Sequence, residues 1–226
     1  MRIAESAWSY RFSAFVISGQ RHAWPFAAYF QHGTVRSMNP KLFVIAGSNG
    51  AGKSTVAATI LPKHFPTERF LNADDIAKAL ATDSPIEAGR IMLRRMHELR
   101  DQKETFAFET TLAARSYVKF LCDAQVAGYR VHLAFVWLSS VELAKKRVAV
   151  RVQRGGHNIP AIDIERRYWR GLENYWKLYQ PLVNRWVRCD NSSSSLVVVA
   201  RGRYGEGPII YDQERLDRIQ HAAGKH

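Results

Sequence analysis

The most specific chemistry in the chain is carried by Gly47, Ser48, Asn49, Gly50, Ala51, Gly52, Lys53 and Ser54, which spell G-x-x-x-x-G-K-S and are followed by Thr55. Glycines at these positions let the backbone curl until successive N–H groups point inward, where they cradle phosphate oxygens. A helix opening at Lys53 adds partial positive charge, the lysine ammonium reaches the β- and γ-phosphates, and a serine hydroxyl after it suits Mg²⁺. A structural strand-to-helix turn needs glycine but not the Lys-Ser pair. Gly47 to Thr55 is therefore expected to bind ATP, with Ser54 on Mg²⁺.

Further polar groups fall where strands are expected to end. Asn72-Ala73-Asp74-Asp75-Ile76 closes a short strand candidate, and in a parallel α/β sheet such an end lies on the ligand crevice. Phosphoryl transfer to an alcohol needs a carboxylate beside the attacking hydroxyl, and Asp74 is the candidate base. Asp75 is the weaker candidate, and one of the two aspartates could instead cap the next helix. Phe106-Ala107-Phe108 runs into Glu109, Thr110 and Thr111, which suit a polar substrate such as a sugar, or the outer shell of Mg²⁺. Thr111 could also cap a helix starting near Ala113; Arg115 joins Glu109, Thr110 and Thr111 as a candidate substrate contact. Lys145, Lys146, Arg147, Arg151 and Arg154 crowd one helix, before Gly155-Gly156-His157-Asn158-Ile159-Pro160 and then Arg166, Arg167 and Arg170. Two basic helices around a glycine-hinged loop read as a lid over about residues 145–170, with Arg154 foremost and Arg151 second as stabilisers of phosphoryl charge. The bland alternative is a solvated basic face partly paired through Asp163 with Arg167 and through Glu173.

Strands and helices must alternate to position these groups. Apolar runs predict strands at Leu42 to Ala46, Arg69 to Asn72, Phe106 to Glu109, Val131 to Leu138, Trp186 to Cys189, Leu196 to Arg201 and Pro208 to Tyr211. Helices are expected from Lys53 to Leu61, Asp74 to Ala81, after Ser84 to about Lys103, from Ala113 to Ala127, after Ser140 to about Arg154, from Ala161 to Tyr179, and at the C-terminus. Ser84-Pro85-Ile86-Glu87 and Ser139-Ser140-Val141-Glu142 carry capping signals. The aromatic run Tyr168, Trp169, Leu172, Tyr175, Trp176 and Tyr179 falls at helical spacing and reads as core packing rather than base stacking. The alternation predicts an α/β three-layer domain around a mostly parallel sheet, with a helical lid and short C-terminal strands.

The 226 residues fit one large domain. Two cysteines, Cys122 and Cys189, exclude a disulfide framework and a zinc module and fit a reducing cytoplasm. No apolar run approaches the roughly 20 residues of a membrane span, so no membrane role is expected. Net charge is +13, which attracts polyanions in general. Residues 1–37 hold four Arg, one Glu and eight aromatics without a sustained pattern and read as an N-terminal extension, poorly ordered, ahead of a domain at 38–226. The densest share of the remaining positive charge sits between Lys145 and Arg170, which points to ATP and a negatively charged small substrate more than to nucleic acid.

Absences narrow the class further. An LSGGQ-like signature and an apolar strand ending in Asp-Glu, as transporter ATPases need, are missing, as is the Asn-Lys-x-Asp reader of GTPases. The order GSNGAGKST, NADDIA, FAFETTL, RV-x-x-GGHNIP with IERRY, and CDNS resembles the zeta-toxin family of P-loop kinases over about Lys41 to Tyr211. The resemblance implies an adenylate-kinase-type fold, ATP-Mg-dependent phosphorylation of the 3'-hydroxyl of UDP-N-acetylglucosamine, and an antitoxin partner. By similarity, Lys53 and Ser54 hold phosphate and Mg²⁺, Asp74 is the base, Glu109 a substrate contact, and Arg151 or Arg154 the charge stabiliser. FETT replaces the Glu-Gly-Thr version of the toxins, and the GGHNIP loop resembles a branch described only as ATPases. A nucleic-acid end kinase and a non-catalytic ATP-binding switch are the other classes compatible with the motifs.

Overall fold

Leu42, Val44, Ile45 and Ala46 are each at most 1% exposed, the burial of a strand covered on both faces. In the computed structural model, which describes residues 39–61, 66–80 and 84–224 and the backbone of 16–17 and 20–21, they lie in an interior strand of a seven-stranded sheet. The extension expected at 1–37 lies outside the described residues, except that β1 (Val16–Ile17) and β2 (Gln20–Arg21) pair antiparallel.

The large sheet contains β3 (Lys41–Gly47), β4 (Phe70–Leu71), β5 (Phe106–Thr110), β6 (Arg130–Trp137), β7 (Arg185–Asp190), β8 (Val197–Arg203) and β9 (Ile209–Ile210). Its order is β4-β5-β3-β6-β7-β8-β9; the first five strands run parallel, and β8 and β9 are antiparallel additions. After β3 the chain moves out to β4 and returns to β5, then crosses to β6 on the other side. That reversal opens a crevice at the C-terminal end of β3, where the glycine-rich loop leaves the strand. The α/β class with a mostly parallel sheet and short C-terminal strands is as expected.

The helices are α1 (Lys53–Ile60), α2 (Ala73–Ala79), α3 (Pro85–Asp101), α4 (Ser116–Val126), α5 (Val141–Gln153), α6 (Ala161–Asn174) and α7 (Gln213–Gly224). The two serine caps form as read. Ser84 Oγ accepts from the Glu87 amide at 3.3 Å, and Ser140 Oγ from the Leu143 amide at 3.1 Å. Two expectations are corrected. The helix placed from Ala113 begins at Ser116, because Leu112 takes a left-handed φ of 57° and residues 111–115 form a loop, so Thr111 does not cap it. The helix from Ala161 to Tyr179 is α-helical only to Asn174; Tyr175–Tyr179 widens into a π-turn.

That π-turn is held by a buried arginine. Arg188, 1% exposed, donates to the Tyr175 hydroxyl at 3.2 and 3.1 Å and to Gln180 Oε1 at 2.9 Å, and its guanidinium lies 3.9 Å from the Trp176 ring centroid. Tyr175 also stacks on Phe135 of β6 at 4.0 Å. The aromatic run thus packs as core, with Tyr168, Leu172, Tyr175 and Tyr179 buried.

Candidate active site

Three chain segments meet at the C-terminal end of β3. The loop Ser48–Gly52 turns so that Lys53 opens α1 and its ammonium donates to the Ser48 carbonyl at 3.1 Å. Gly52 has φ 85°, and a Cβ there would stand 2.6 Å from Asn191 Nδ2. Asn191, just past β7, donates from the same amide to the Ala51 carbonyl at 2.8 Å, so it braces the loop from the far side. Asn191 was legible only as part of the CDNS resemblance; its role depends on β7 lying beside β6.

Beside the loop, one acid follows β4 and another sits near the end of β5: Asp74 is in the first turn of α2, and Glu109 is the last residue but one of β5. The cap of α2 is Asn72, whose side-chain oxygen accepts from the Asp74 amide at 2.9 Å, which corrects the alternative that Asp74 or Asp75 caps it. Asp74 is thereby left to face the crevice. Its carboxylate lies 3.6 Å from Arg151 Nη1, with the two side chains 42% and 40% exposed. The other end of Asn72 donates to Glu109 Oε2 at 3.2 Å. Glu109 is 9% exposed; burial pushes its pKa up, and Lys53 and a hydrogen bond with Ser54 pull it back. Burial likewise pushes the Lys53 pKa down, offset by Glu109 and Asp74, with Arg151 and Arg167 adding to the depression. A buried ammonium and a buried carboxylate thus partly offset each other's desolvation, an arrangement that phosphates or a cation would complete.

Several polar atoms here are buried without a protein partner: Ser48 Oγ, Asn49 Oδ1, Glu109 Oε1 and Arg151 Nε. Buried polar atoms are nearly always hydrogen-bonded, so such a cluster at a glycine-rich loop marks a place for a ligand. The Glu109 carboxylate, hydrogen-bonded to the Ser54 side chain and with Oε1 buried without a partner, fits a Mg²⁺ site completed by phosphates and waters, the usual way this ion is held. Among the described residues no group of three His, Cys, Asp or Glu side chains could hold a metal by itself.

The basic helices close the crevice unevenly. Arg151 of α5 reaches Asp74 and donates to the His157 carbonyl at 3.0 Å, while Arg154 sits exposed at the end of α5, away from these contacts. Arg167 of α6 is half-buried and close enough for its charge to act on Lys53. The pairings read from spacing are corrected: Asp163 holds Arg166 at 2.5 Å and Glu173 holds Lys177 at 2.8 Å. Each acid could reach two cations along its helix, and spacing could not tell which. Lys145 pairs with Glu165 at 2.7 Å, tying α5 to α6.

Thr110, Thr111 and Arg115 lie on the β5–α4 side. The Thr110 hydroxyl accepts from the Leu112 amide at 3.0 Å, and Thr111 from the Ala113 amide at 3.4 Å, so both serve the loop backbone; Arg115 is exposed. Helix α6 clamps this loop. Gly171 comes so close that a Cβ would stand 2.2 Å from the Thr111 carbonyl oxygen, and buried Asn174 donates to the Leu112 carbonyl at 2.8 Å.

Comparisons with known proteins agree with this fold. Residues 27–180 match the zeta toxin family, including residues 27–37 that the motif order does not cover. An uncharacterized protein of Haemophilus influenzae is 30% identical over 135 residues, 58% of this chain and 94% of that one. The fold is similar to a chain of the AvrRxo1-ORF1:AvrRxo1-ORF2 complex with sulphate ions, at 17% identity and TM-score 0.68, covering 80% of this chain. The ATP-bound form of that complex gives 19% identity and TM-score 0.66. The chain spans 63% of the length of those AvrRxo1 chains. The PezAT chromosomal toxin-antitoxin system of Streptococcus pneumoniae is similar at 15% identity and TM-score 0.52, covering 88% of this chain and 91% of that one. Among the described residues no helix is long and apolar enough to cross a membrane.

Proposed function

The chain belongs to the zeta toxin family and so to the P-loop kinases, and from that premise we propose that it transfers the γ-phosphate of ATP to a hydroxyl of a nucleotide-linked small molecule, with UDP-N-acetylglucosamine as the first acceptor to try. The observation that carries this reading is Asp74: Asn72 caps its helix, and its carboxylate lies 3.6 Å from Arg151 and close enough for its charge to act on Lys53 of the loop. A carboxylate so placed accepts the proton of an attacking hydroxyl.

The roles follow from position. The loop amides and Lys53 hold the phosphates of ATP; Arg151, with Arg167 behind it, offsets charge spread over the transferring group. Ser54, with Glu109 in the outer shell, would hold Mg²⁺, which neutralises phosphate charge when bound. Glu109 and Arg115 are the proposed acceptor contacts, while Thr110 and Thr111 shape the loop beside them through their hydroxyls. The AvrRxo1 complex with ATP supports ATP as donor, and the PezAT toxin-antitoxin system among the similar folds supports an antitoxin protein as partner.

The test is ATP consumption with UDP-N-acetylglucosamine, other nucleotide sugars, NAD and oligonucleotides, for wild type, Lys53→Ala and Asp74→Asn. Transfer to one nucleotide-linked acceptor, lost in both variants, is the expected result. Full turnover by Asp74→Asn removes the base assignment. Phosphate transfer to oligonucleotide ends alone makes the chain a nucleic-acid kinase instead.

A further inference from the structure

The π-turn that follows α6 changes which side chains share a face. The Gln180 amide donates to the Tyr175 carbonyl at 2.8 Å, five residues back, so side chains five apart are brought into line. Round an α-helix of 3.6 residues per turn, the same pairs would stand about 140° apart. Two such pairs are put to use. Asn174 and Tyr179 both reach the β5–α4 loop: Asn174 Nδ2 donates to the carbonyls of Leu112 and Ala113 at 2.8 and 3.4 Å, and the Tyr179 hydroxyl donates to that of Ala114. Tyr175 and Gln180 both reach Arg188 of β7, which donates to the Tyr175 hydroxyl at 3.2 and 3.1 Å and to Gln180 Oε1 at 2.9 Å.

The first pair works on the site. Gly171, three residues before Asn174, packs against the Thr111 carbonyl oxygen, so four consecutive carbonyls from Thr111 to Ala114 are fixed by α6 and its π-turn. Arg115 follows directly, and Glu109 lies just before on β5. Thr111 and Gly171 also line a small cavity with Ser48 of the phosphate loop, Trp137 and Tyr168, so the clamp stands beside the crevice. The second pair works on another face of the turn. There Arg188 is 1% exposed, with its guanidinium 3.9 Å from the Trp176 ring centroid and 5.0 Å from that of Trp186.

We propose that Arg188 is a positioning residue for the acceptor: by bridging Tyr175 and Gln180 it fixes the π-turn, and the π-turn sets Asn174 and Tyr179 on the loop that presents Arg115. The inference rests on the reaction proposed above, in which Glu109 and Arg115 meet the acceptor. An α-turn over the same residues would carry Gln180 away from Tyr175 and Tyr179 away from Asn174, which frees the Ala114 carbonyl and with it the approach to α4. The phosphate loop is held separately, by Lys53 on Ser48 and by Asn191 on Ala51. Loss of the bridge should therefore act on the acceptor and spare ATP.

The test uses the full chain and steady-state phosphotransfer to whichever acceptor wild type uses in the assay above, together with amide hydrogen exchange. Gln180→Ala removes one arm of the bridge and no charge. It is expected to raise the acceptor KM about tenfold and leave the ATP KM within about twofold of wild type, since a small misplacement of a binding loop is enough for that. Exchange at the amides of residues 112–118, of which Leu112 and Ala113 donate to threonine hydroxyls, should quicken by about tenfold while α1 exchanges as in wild type. Arg188→Met should show the same split more strongly, and Gln180→Glu, which keeps an acceptor for the guanidinium, should retain the wild-type KM. The inference fails if Gln180→Ala leaves the acceptor KM unchanged, whether or not exchange quickens, because Arg188 then serves the fold alone. It also fails if both KM values rise together, if kcat falls with neither KM changed, as loss of folded protein would give, or if Gln180→Glu behaves as Gln180→Ala. If wild type phosphorylates none of the acceptors, the proposed reaction itself falls and takes this inference with it.

Discussion

The two ends of β3 solve opposite electrostatic problems. At its C-terminal end, charges of both signs converge: Lys53, Arg151 and Arg167 meet Asp74 and Glu109, with buried polar atoms left unpartnered. At its N-terminal end, Lys41 faces Arg130 and shares its face with buried His132, whose pKa is pushed down to about 3. One strand thus joins a site preorganised for a ligand to a surface under like-charge stress. Mixed charge around a cleft positions reacting groups, whereas a row of one sign can only attract. If that contrast is right, changes at the first end should act on turnover and changes at the second on stability and its pH dependence.

The largest effects belong to the cleft. Lys53→Ala and Asp74→Asn should each lower phosphotransfer by roughly 10²–10⁴ with the fold intact, as loss of a phosphate clamp or a general base does. Single-turnover assays together with melting temperatures check this. A variant that melts far below wild type would show that the cleft charges also hold the fold, and the contrast would break.

His132 gives the next largest effect, at the other end. Its folded pKa lies near 3 and its ordinary value is 6.5, so the unfolded chain takes up the proton first. The stabilisation from keeping it neutral is full above about pH 6.5 and is lost as pH falls from there towards 3, by up to roughly 1.4 kcal/mol per pH unit. Urea midpoints at pH 7 and pH 4.5 should converge in His132→Leu and diverge in wild type. An unchanged divergence in the variant would assign acid sensitivity to other groups.

Gly52→Ala sharpens the contrast from the cleft side with a smaller cost. The new methyl meets Asn191 Nδ2 at 2.6 Å on a backbone with φ 85°, a strain of about 1–3 kcal/mol. Pairing it with Asn191→Ala removes the clash but not the backbone strain, so stability should recover only in part.

Much of this was legible from residue order. The strand ends that carry Gly47 and Glu109 are legible in short apolar runs, because strands buried on both faces show as continuous hydrophobic stretches. The loop motif was legible because phosphate binding restricts both residue type and spacing. Pairings between distant segments were not. Asn191 bracing Ala51, Asn174 clamping Leu112, and Arg151 rather than Arg154 reaching Asp74 depend on how helices and strands pack, which spacing within one element does not encode. The cap of α2 was misassigned for a local reason: Asn72, Asp74 and Asp75 are all good caps, and only the extended backbone at Asn72 decides among them. The opposition of Lys41 to Arg130 and of Arg185 to Arg203 stayed hidden because these residues are scattered through the sequence and meet only through strand register.

The opposed pair Lys41 and Arg130 supplies the smallest prediction and the one with the least intuitive sign. Arg130→Gln removes a surface charge and no carboxylate partner, since Arg130 stands opposite Lys41. Relief of a directly opposed like pair is worth about 0.2–1 kcal/mol, so the melting temperature should rise by roughly 1–3 °C for a chain of this size. The gain should shrink in 1 M salt, where the screening length falls to about 3 Å. Stabilisation that is insensitive to salt would trace instead to altered packing at the start of β6, and a loss of stability would mean that the N-terminal end of the sheet is not under like-charge stress.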